Sequence, residues 1–215
     1  MGNKTTAHIR YRNLEDKIVP GVTTILGILN KPALVKWANN LGLKGIDSSK
    51  YRDEMADIGT LAHYLIMCHL KDIDPDTSEY SADNIEKAEN CFLSYLEWEK
   101  GHKVEPLLVE EPLVSEVSQY GGTVDLYCEL DGEPTLIDFK TGKAIYPEMI
   151  FQLAAYWGLL VEHFKPVETC RILRIGRDED EGFEEVVKTE LTKEHRLFGH
   201  CREIYELKKQ IKKEE

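Results

Sequence analysis

A tight turn at Asp131-Gly132 joins two apolar runs and constrains the centre of the fold more than any other feature of the sequence. The run before the turn is GGTVDLYCEL and the run after it is PTLIDFKT. An Asp-Gly pair readily adopts the backbone conformation of a two-residue turn between antiparallel strands. The sequence therefore predicts a β-hairpin here, against which the neighbouring elements must pack.

Each strand of this hairpin carries an acidic residue among apolar ones, Asp125 in TVDLY and Asp138 in LIDFK. Side chains alternate along a strand, so Asp138 and Lys140 point to one face, while Ile137 and Phe139 point to the other and suit the core. Asp is depleted in strands and costly to bury unpaired. Two such acids on adjacent strands therefore require a cation, either Lys140 or a divalent metal.

Two chemical interpretations of this pattern remain open. One is a structural ion pair between Asp138 and Lys140 on the solvated face of the hairpin. The other is a hydrolytic site, because converging carboxylates suit Mg²⁺ or Mn²⁺ and the phosphate oxygens that these ions bind. In the second case Lys140 orients or deprotonates the attacking water.

The rest of the chain predicts helices before the hairpin and a mixture of elements after it. Residues 1–102 are expected to be mainly helical, and KVEPLLVEEPLVSE is expected to form two short extended pieces separated near Pro112. A helix beginning near Pro147 crosses between the hairpin and two later strands, so that 103–190 form a sheet, and 191–215 form a last helix. We predict a single α/β domain over 1–215, with a mixed, mainly antiparallel sheet flanked by helices.

Composition limits the functional classes. The sequence shows neither a secretory leader nor a run of about 20 apolar residues, which predicts a cytoplasmic protein without membrane contact. The formal net charge of −12 argues against nonspecific coating of nucleic acid. Any contact with DNA would depend on a local basic groove and on metal ions.

Four motifs occur in a characteristic order along the chain. They are Gly59-x-x-x-His63, Gly122-x-x-Asp125, the run IDFKTG that begins at Ile137, and Gln152-x-x-x-Tyr156. Together they resemble the PD-(D/E)XK nuclease superfamily in its RecB-like exonuclease branch, which includes phage exonucleases and the mitochondrial genome maintenance exonucleases. The resemblance covers about residues 20 to 160 and implies a restriction-endonuclease-like core.

The resemblance also implies roles for individual residues. Asp125 and Asp138 would bind Mg²⁺ or Mn²⁺ together with the backbone carbonyl of Phe139, and Lys140 would activate or position the water. His63 would approach as a ligand or a phosphate contact. Gln152 and Tyr156, on one helix, would brace the site or hold phosphate. Glu110, ahead of the hairpin, is a further candidate ligand, and the adjacent Glu111 is the alternative to it.

The function implied is a metal-dependent DNA exonuclease that acts on ends or single strands in recombination, repair or phage replication, in a bacterial or phage-infected cell. The alternatives are a structure-selective endonuclease on the same fold and a noncatalytic DNA-binding or assembly subunit. A recombination or replication protein is a candidate partner, and the oligomeric state is open. Basic residues that we expect to contact phosphates are Lys143, Arg171 and Arg174.

Overall fold

The structure is a computed structural model that describes residues 9–214, with residues 1–8 and 215 outside the described part. Helices precede the sheet, and one helix interrupts it. The elements in chain order are α1 (Val22–Leu26), α2 (Pro32–Leu43), α3 (Ser48–Leu70), α4 (Ala82–Glu99), β1 (Val104–Ser115), β2 (Tyr120–Leu130), β3 (Glu133–Lys140), α5 (Pro147–Glu162), β4 (Thr169–Ile175), β5 (Phe183–Lys188) and α6 (Thr192–Glu214).

The five strands form one sheet in the order β1-β2-β3-β4-β5. All neighbouring strands are antiparallel except β3 and β4, which run parallel and are connected through α5. A parallel pair needs such a crossover because its strands start at the same end of the sheet. The predicted α/β class, with a mixed, mainly antiparallel sheet flanked by helices after an N-terminal helical region, is confirmed.

The predicted hairpin is β2–β3. Leu130 pairs with Glu133 across a two-residue turn in which Asp131 has φ 55° and Gly132 has φ 90°. Two consecutive positive φ values are typical of a type I′ turn, whose twist matches that of the flanking antiparallel strands. Asp-Gly adopts these values readily. The hairpin prediction is confirmed, and its register sets the height of Asp125 and Asp138 along the sheet.

Helices cover both faces of the sheet and produce two apolar clusters. One face packs against α3 and α4, and Ile137 and Phe139 lie in that cluster. The opposite face packs against α1, α5 and α6, and Leu136 and Ile172 lie there. Ile137 and Phe139 are buried in the core, as predicted, on the side of α3 and α4, and the alternation of the strand turns Asp138 and Lys140 toward α5.

The first strand differs from the prediction. KVEPLLVEEPLVSE was expected to form two pieces, but Val104–Ser115 is one strand that pairs with β2 along its length. Pro112 is tolerated, and pairs with Thr123, because β1 lies at the edge of the sheet, where a proline need not donate to an outer neighbour. The pairing register shifts instead between Pro106 and Leu108, and Glu110 has a left-handed backbone with φ 50°, but neither feature ends the strand.

Local capping explains where the two site-bearing helices begin. The Asp47 side chain accepts hydrogen bonds from the backbone N–H groups of Ser49 and Lys50 at the start of α3, and Pro147 occupies the first turn of α5. Although α3 and α6 each run for 23 residues, no helix within 9–214 is long and apolar enough to cross a membrane.

We predict that a methyl group at Gly122 destabilises the fold. A Cβ there would lie 2.5 Å from Cε1 of Tyr156 and 3.3 Å from a methyl of Leu159, both on α5. Overpacking of this kind costs about 1–3 kcal/mol, so the free energy of unfolding of Gly122→Ala should fall by that amount in urea titration.

The matched control is Gly199→Ala on α6, where an added Cβ meets nothing within 4 Å. There the gain in helix propensity should raise the free energy of unfolding by about 0.5–1 kcal/mol. Equal stabilities of the two variants would contradict the close contact between α5 and the sheet.

Candidate active site

The site begins where β2 and β3 separate. Their ladder ends at the pair Leu126–Ile137. Beyond it, Oδ2 of Asp125 accepts a hydrogen bond of 2.8 Å from the backbone N–H of Phe139. A side-chain carboxylate therefore occupies the place of the next ladder bond, and it is held in the gap between the diverging strands.

The predicted carbonyl ligand faces the same gap. In a strand, the N–H and C=O groups of one residue project toward the same neighbouring strand. Since the Phe139 N–H points to Asp125, the Phe139 carbonyl also points toward β2, beyond the last ladder pair. Regular strand geometry therefore predicts that this oxygen lies on the side where a metal held by Asp125 would lie.

Glu110 stands across from Asp125 on β1, in the left-handed backbone region with φ 50°. A non-glycine residue there is strained by about 1–3 kcal/mol. The distortion reverses the faces of the strand, because Val109 packs in the α3–α4 cluster whereas Leu113, four residues later, packs in the α5 cluster. It turns the Glu110 side chain into the gap, while the alternative Glu111 is exposed.

His63 reaches the same gap from α3. Its Nδ1 lies 3.3 Å from Oε1 of Glu110 and 3.7 Å from Oδ1 of Asp125. The imidazole also packs edge-on against the Phe139 ring, with a centroid distance of 5.8 Å. One ligand atom each of His63, Glu110 and Asp125 lies within 4.8 Å of the others, so three predicted ligands form one group.

This group is electrostatically unusual. Burial alone would lower the pKa of His63, but the Asp125 and Glu110 carboxylates outweigh it and raise that pKa to about 9. Burial, with Glu110, raises the pKa of Asp125 despite the opposing effect of His63. In the metal-free chain at neutral pH His63 is therefore an imidazolium between two carboxylates.

Asp138 and Lys140 form an adjacent pair rather than joining the group of three. Lys140 Nζ lies 2.6 Å from Oδ2 of Asp138. Among the described residues, however, neither carboxylate oxygen of Asp138 has a well-formed hydrogen bond. Asp138 is fully buried, and this burial raises its pKa to about 6, although Lys140 opposes the shift. Burial lowers the pKa of Lys140, but Asp138 and Asp125 outweigh it, and the net shift is upward.

Gln152 and Tyr156 close the site from α5. Gln152 Nε2 donates a hydrogen bond of 2.7 Å to the Tyr156 hydroxyl. Burial, reinforced by the charges of Asp138 and Asp125, raises the pKa of Tyr156 well above its ordinary value. The phenol therefore stays protonated, and its own proton is available to a carboxylate or a substrate oxygen.

The donor set fits a divalent metal. Two carboxylates and an imidazole are suitable ligands for Mn²⁺, and carboxylates and carbonyls suit Mg²⁺. The three carboxylates of Glu110, Asp125 and Asp138 face two cationic groups, Lys140 and protonated His63. A divalent ion in place of the His63 proton would balance these charges, and the orphaned Asp138 oxygens would lie beside it.

The basic residues predicted to contact phosphates lie elsewhere. Arg171 donates to Glu185 at 2.7 Å, and the largely buried Arg174 donates to Glu184 at 3.0 Å. Both ion pairs cross from β4 to β5. Lys143 is exposed in the segment between β3 and α5. The structure brings none of these three into the acidic group, and their contact with nucleic acid stays a prediction.

One neighbour of the acidic group was absent from the sequence prediction. Tyr11 places its hydroxyl 3.0 Å from Oγ1 of Thr123, two residues before Asp125. Burial is the main cause of its raised pKa, and the Glu110 and Asp125 carboxylates raise it further. Because side chains alternate along β2, Thr123 and Asp125 project from the same face, and the hydroxyl bound to Thr123 lies on that face. The signal in the sequence is the pair Gly121-Gly122, since adjacent glycines inside a strand indicate close approach by other groups.

Comparison with known proteins gives a distant structural likeness. No protein-family model matches the chain, and no curated protein matches it significantly by sequence. The crystal structure of an alkaline exonuclease, LHK-Exo, from Laribacter hongkongensis is similar with TM-score 0.38 and 15% identity, over 75% of this chain and 92% of that one. The same enzyme in complex with dAMP gives TM-score 0.37 at the same identity and coverage. Activity depends on local side-chain geometry, which such an overlap does not describe.

We predict that Mn²⁺ stabilises the protein through this group. At a concentration 100-fold above Kd a ligand adds about 2.7 kcal/mol, which raises the Tm of a chain of this size by about 5–11 °C. Asp125→Asn should abolish most of this shift in a thermal melt, whereas Asp74→Asn in an exposed loop should retain it. Equal shifts in the two variants would exclude Asp125 as a ligand.

The raised pKa of His63 gives a second prediction, for protein in EDTA. A folded-state pKa of about 9, against the ordinary 6.5, means that the protonated imidazole stabilises the fold fully below pH 6.5 and loses that effect as pH rises through 9. The His63 ring signals in NMR should titrate near pH 9, and lower in Asp125→Asn. His195, whose pKa burial lowers, is the internal control and should not respond to that variant.

Proposed function

We propose that this chain is a metal-dependent nuclease that hydrolyses phosphodiester bonds in DNA and acts as an exonuclease. The observation that carries the proposal is the partly buried group of His63, Glu110 and Asp125 beside the Asp138–Lys140 pair. A structural ion pair alone would not explain why three further polar side chains converge on the same gap. Desolvated acids with strongly shifted pKa values cluster at functional sites.

His63, Glu110 and Asp125 would hold Mg²⁺ or Mn²⁺ together with the Phe139 carbonyl. When bound, the ion polarises a phosphoryl oxygen and makes a coordinated water more acidic. Asp138 Oδ2 faces the Lys140 ammonium, which leaves Oδ1 for the metal or for the attacking water. The oxygen ligands are compatible with both ions, and the imidazole favours Mn²⁺.

Lys140 would orient the attacking water rather than deprotonate it. A lysine acts as a base only when its surroundings favour the neutral amine. Here the Asp138 and Asp125 carboxylates outweigh the effect of burial, so the pKa of Lys140 is raised and the ammonium stays charged. Its protons can be donated to a water or to a nonbridging phosphate oxygen, where they also offset developing negative charge.

Gln152 would hold the Tyr156 phenol in one position. Because the amide N–H occupies an acceptor site on the hydroxyl, the phenolic proton is directed away from Gln152, toward the acidic group or a substrate oxygen. This agrees with a bracing or phosphate-holding role for the pair.

The exonuclease assignment derives from the order of the sequence motifs. The complete set of acids and lysine disfavours the noncatalytic alternative, which requires a damaged site. With a net charge of −12, the chain would depend on local contacts and on the metal to approach a polyanion.

The decisive variant is Lys140→Met, which keeps the aliphatic stem and removes the charge. We expect kcat on end-labelled linear DNA with Mn²⁺ to fall about 100-fold or more, with the circular dichroism spectrum unchanged. Lys71→Met, at an exposed position just after α3, is the matched control and should retain activity.

Closed circular DNA separates the two catalytic alternatives. An exonuclease leaves circles intact while degrading linear DNA, whereas an endonuclease nicks them. Cleavage that persists in EDTA, or that is unaffected in Lys140→Met, would contradict the proposed reaction.

A further inference from the structure

The N-terminal segment forms a small hairpin, residues 10–20, that is fixed to the sheet next to the acidic group. Arg12 and Ile18 form an antiparallel bridge, and the backbone N–H of Val19 donates to the Tyr11 carbonyl at 3.0 Å. This hairpin precedes the four motifs that resemble the nuclease superfamily. The sequence prediction named no residue of this hairpin among the site residues.

Several hydrogen bonds anchor this hairpin to the start of β2 and to the turn between β1 and β2. The backbone N–H of Gly121 donates to the Pro20 carbonyl at 3.0 Å. The buried Asn13 donates to the Gln119 side chain at 2.7 Å. The Leu14 N–H donates to the Glu116 carboxylate at 2.8 Å. A segment tied at three points holds its side chains in fixed positions.

Tyr11 is the residue that this anchoring positions. Its ring lies directly on Gly121, where an added Cβ would be 2.2 Å from Cγ of the ring. The neighbouring Gly122 receives the Tyr156 ring in the same way. Successive residues of a strand face opposite sides of the sheet, so the two glycines seat two tyrosines from opposite sides. Both phenols interact electrostatically with Asp125, and also with each other.

We propose that the Tyr11 hydroxyl contacts the phosphate whose ester bond is cleaved. This inference rests on the proposed nuclease function and adds a substrate-contacting residue to it. The three carboxylates repel a phosphodiester that enters the site. Neutral or positively charged hydrogen-bond donors are therefore needed to bind its phosphate oxygens. The Tyr11 hydroxyl is such a donor, and in the chain without substrate Thr123 Oγ1 is its partner. Exchanging that neutral partner for a charged phosphate oxygen strengthens the hydrogen bond.

The test is Tyr11→Phe, which keeps the ring on Gly121 and removes only the hydroxyl. A hydrogen bond to a charged group corresponds to about tenfold or more in rate, so kcat at saturating linear DNA and Mn²⁺ should fall by at least that factor. The Mn²⁺-induced Tm shift should remain as in wild type, because Tyr11 does not bind the metal. The control is Tyr127→Phe, which loses a hydroxyl bond to the Pro166 carbonyl remote from the site and should keep full activity.

The outcomes separate this inference from the proposed function. If the wild-type protein cleaves DNA and Tyr11→Phe has the same kcat, the Tyr11 assignment is overturned and the nuclease assignment remains intact. If Tyr11→Phe loses activity and its Mn²⁺-induced Tm shift falls in proportion, the Tyr11 assignment is also overturned. The hydroxyl would then support metal binding rather than contact the phosphate. A wild-type protein that cleaves no DNA would overturn both.

Discussion

The hydrogen bond from the Phe139 N–H to the Asp125 carboxylate is the interaction on which the site depends. It is made where the β2–β3 ladder ends, and it lets two strands diverge without leaving a backbone donor unpaired. Side chains from both faces of the sheet meet in the gap that results. His63 enters it from the α3 side, and Tyr156 enters from the α5 side.

This arrangement brings a strained backbone and buried charged groups together in one place. Glu110 has a left-handed backbone, Asp138 is buried without a well-formed hydrogen bond, and His63 keeps its proton only because of two neighbouring carboxylates. The strained Glu110 backbone and the buried Asp138 do not stabilise the fold, which the apolar clusters on the two faces of the sheet maintain. Strain and desolvated charge that persist in a well-packed protein are typical of a site preorganised for a ligand. A divalent cation would offset the desolvated negative charge of these carboxylates.

Much of the framework could be predicted from local patterns. Asp131-Gly132 identifies the hairpin because the turn chemistry is local, and the alternation of LIDFK assigns Asp138 and Lys140 to one face. The convergence of His63 with Asp125 came from motif order, since no local rule brings together residues so far apart in the chain. Tyr11 was missed because its position depends on hydrogen bonds between a terminal hairpin and a distant turn. The sequence predicted a break in the first strand near Pro112, because proline is a recognisable strand breaker. The left-handed backbone of Glu110 has no comparable signal in the sequence.

The most direct test of the account is anomalous X-ray diffraction from crystals grown with Mn²⁺. We expect one strong anomalous peak within bonding distance of His63, Glu110 and Asp125, on the side of the Phe139 carbonyl and next to Asp138. A saturated crystal with no peak in this gap, or with Mn²⁺ bound only elsewhere, would contradict the assignment of this group as a metal-dependent active site.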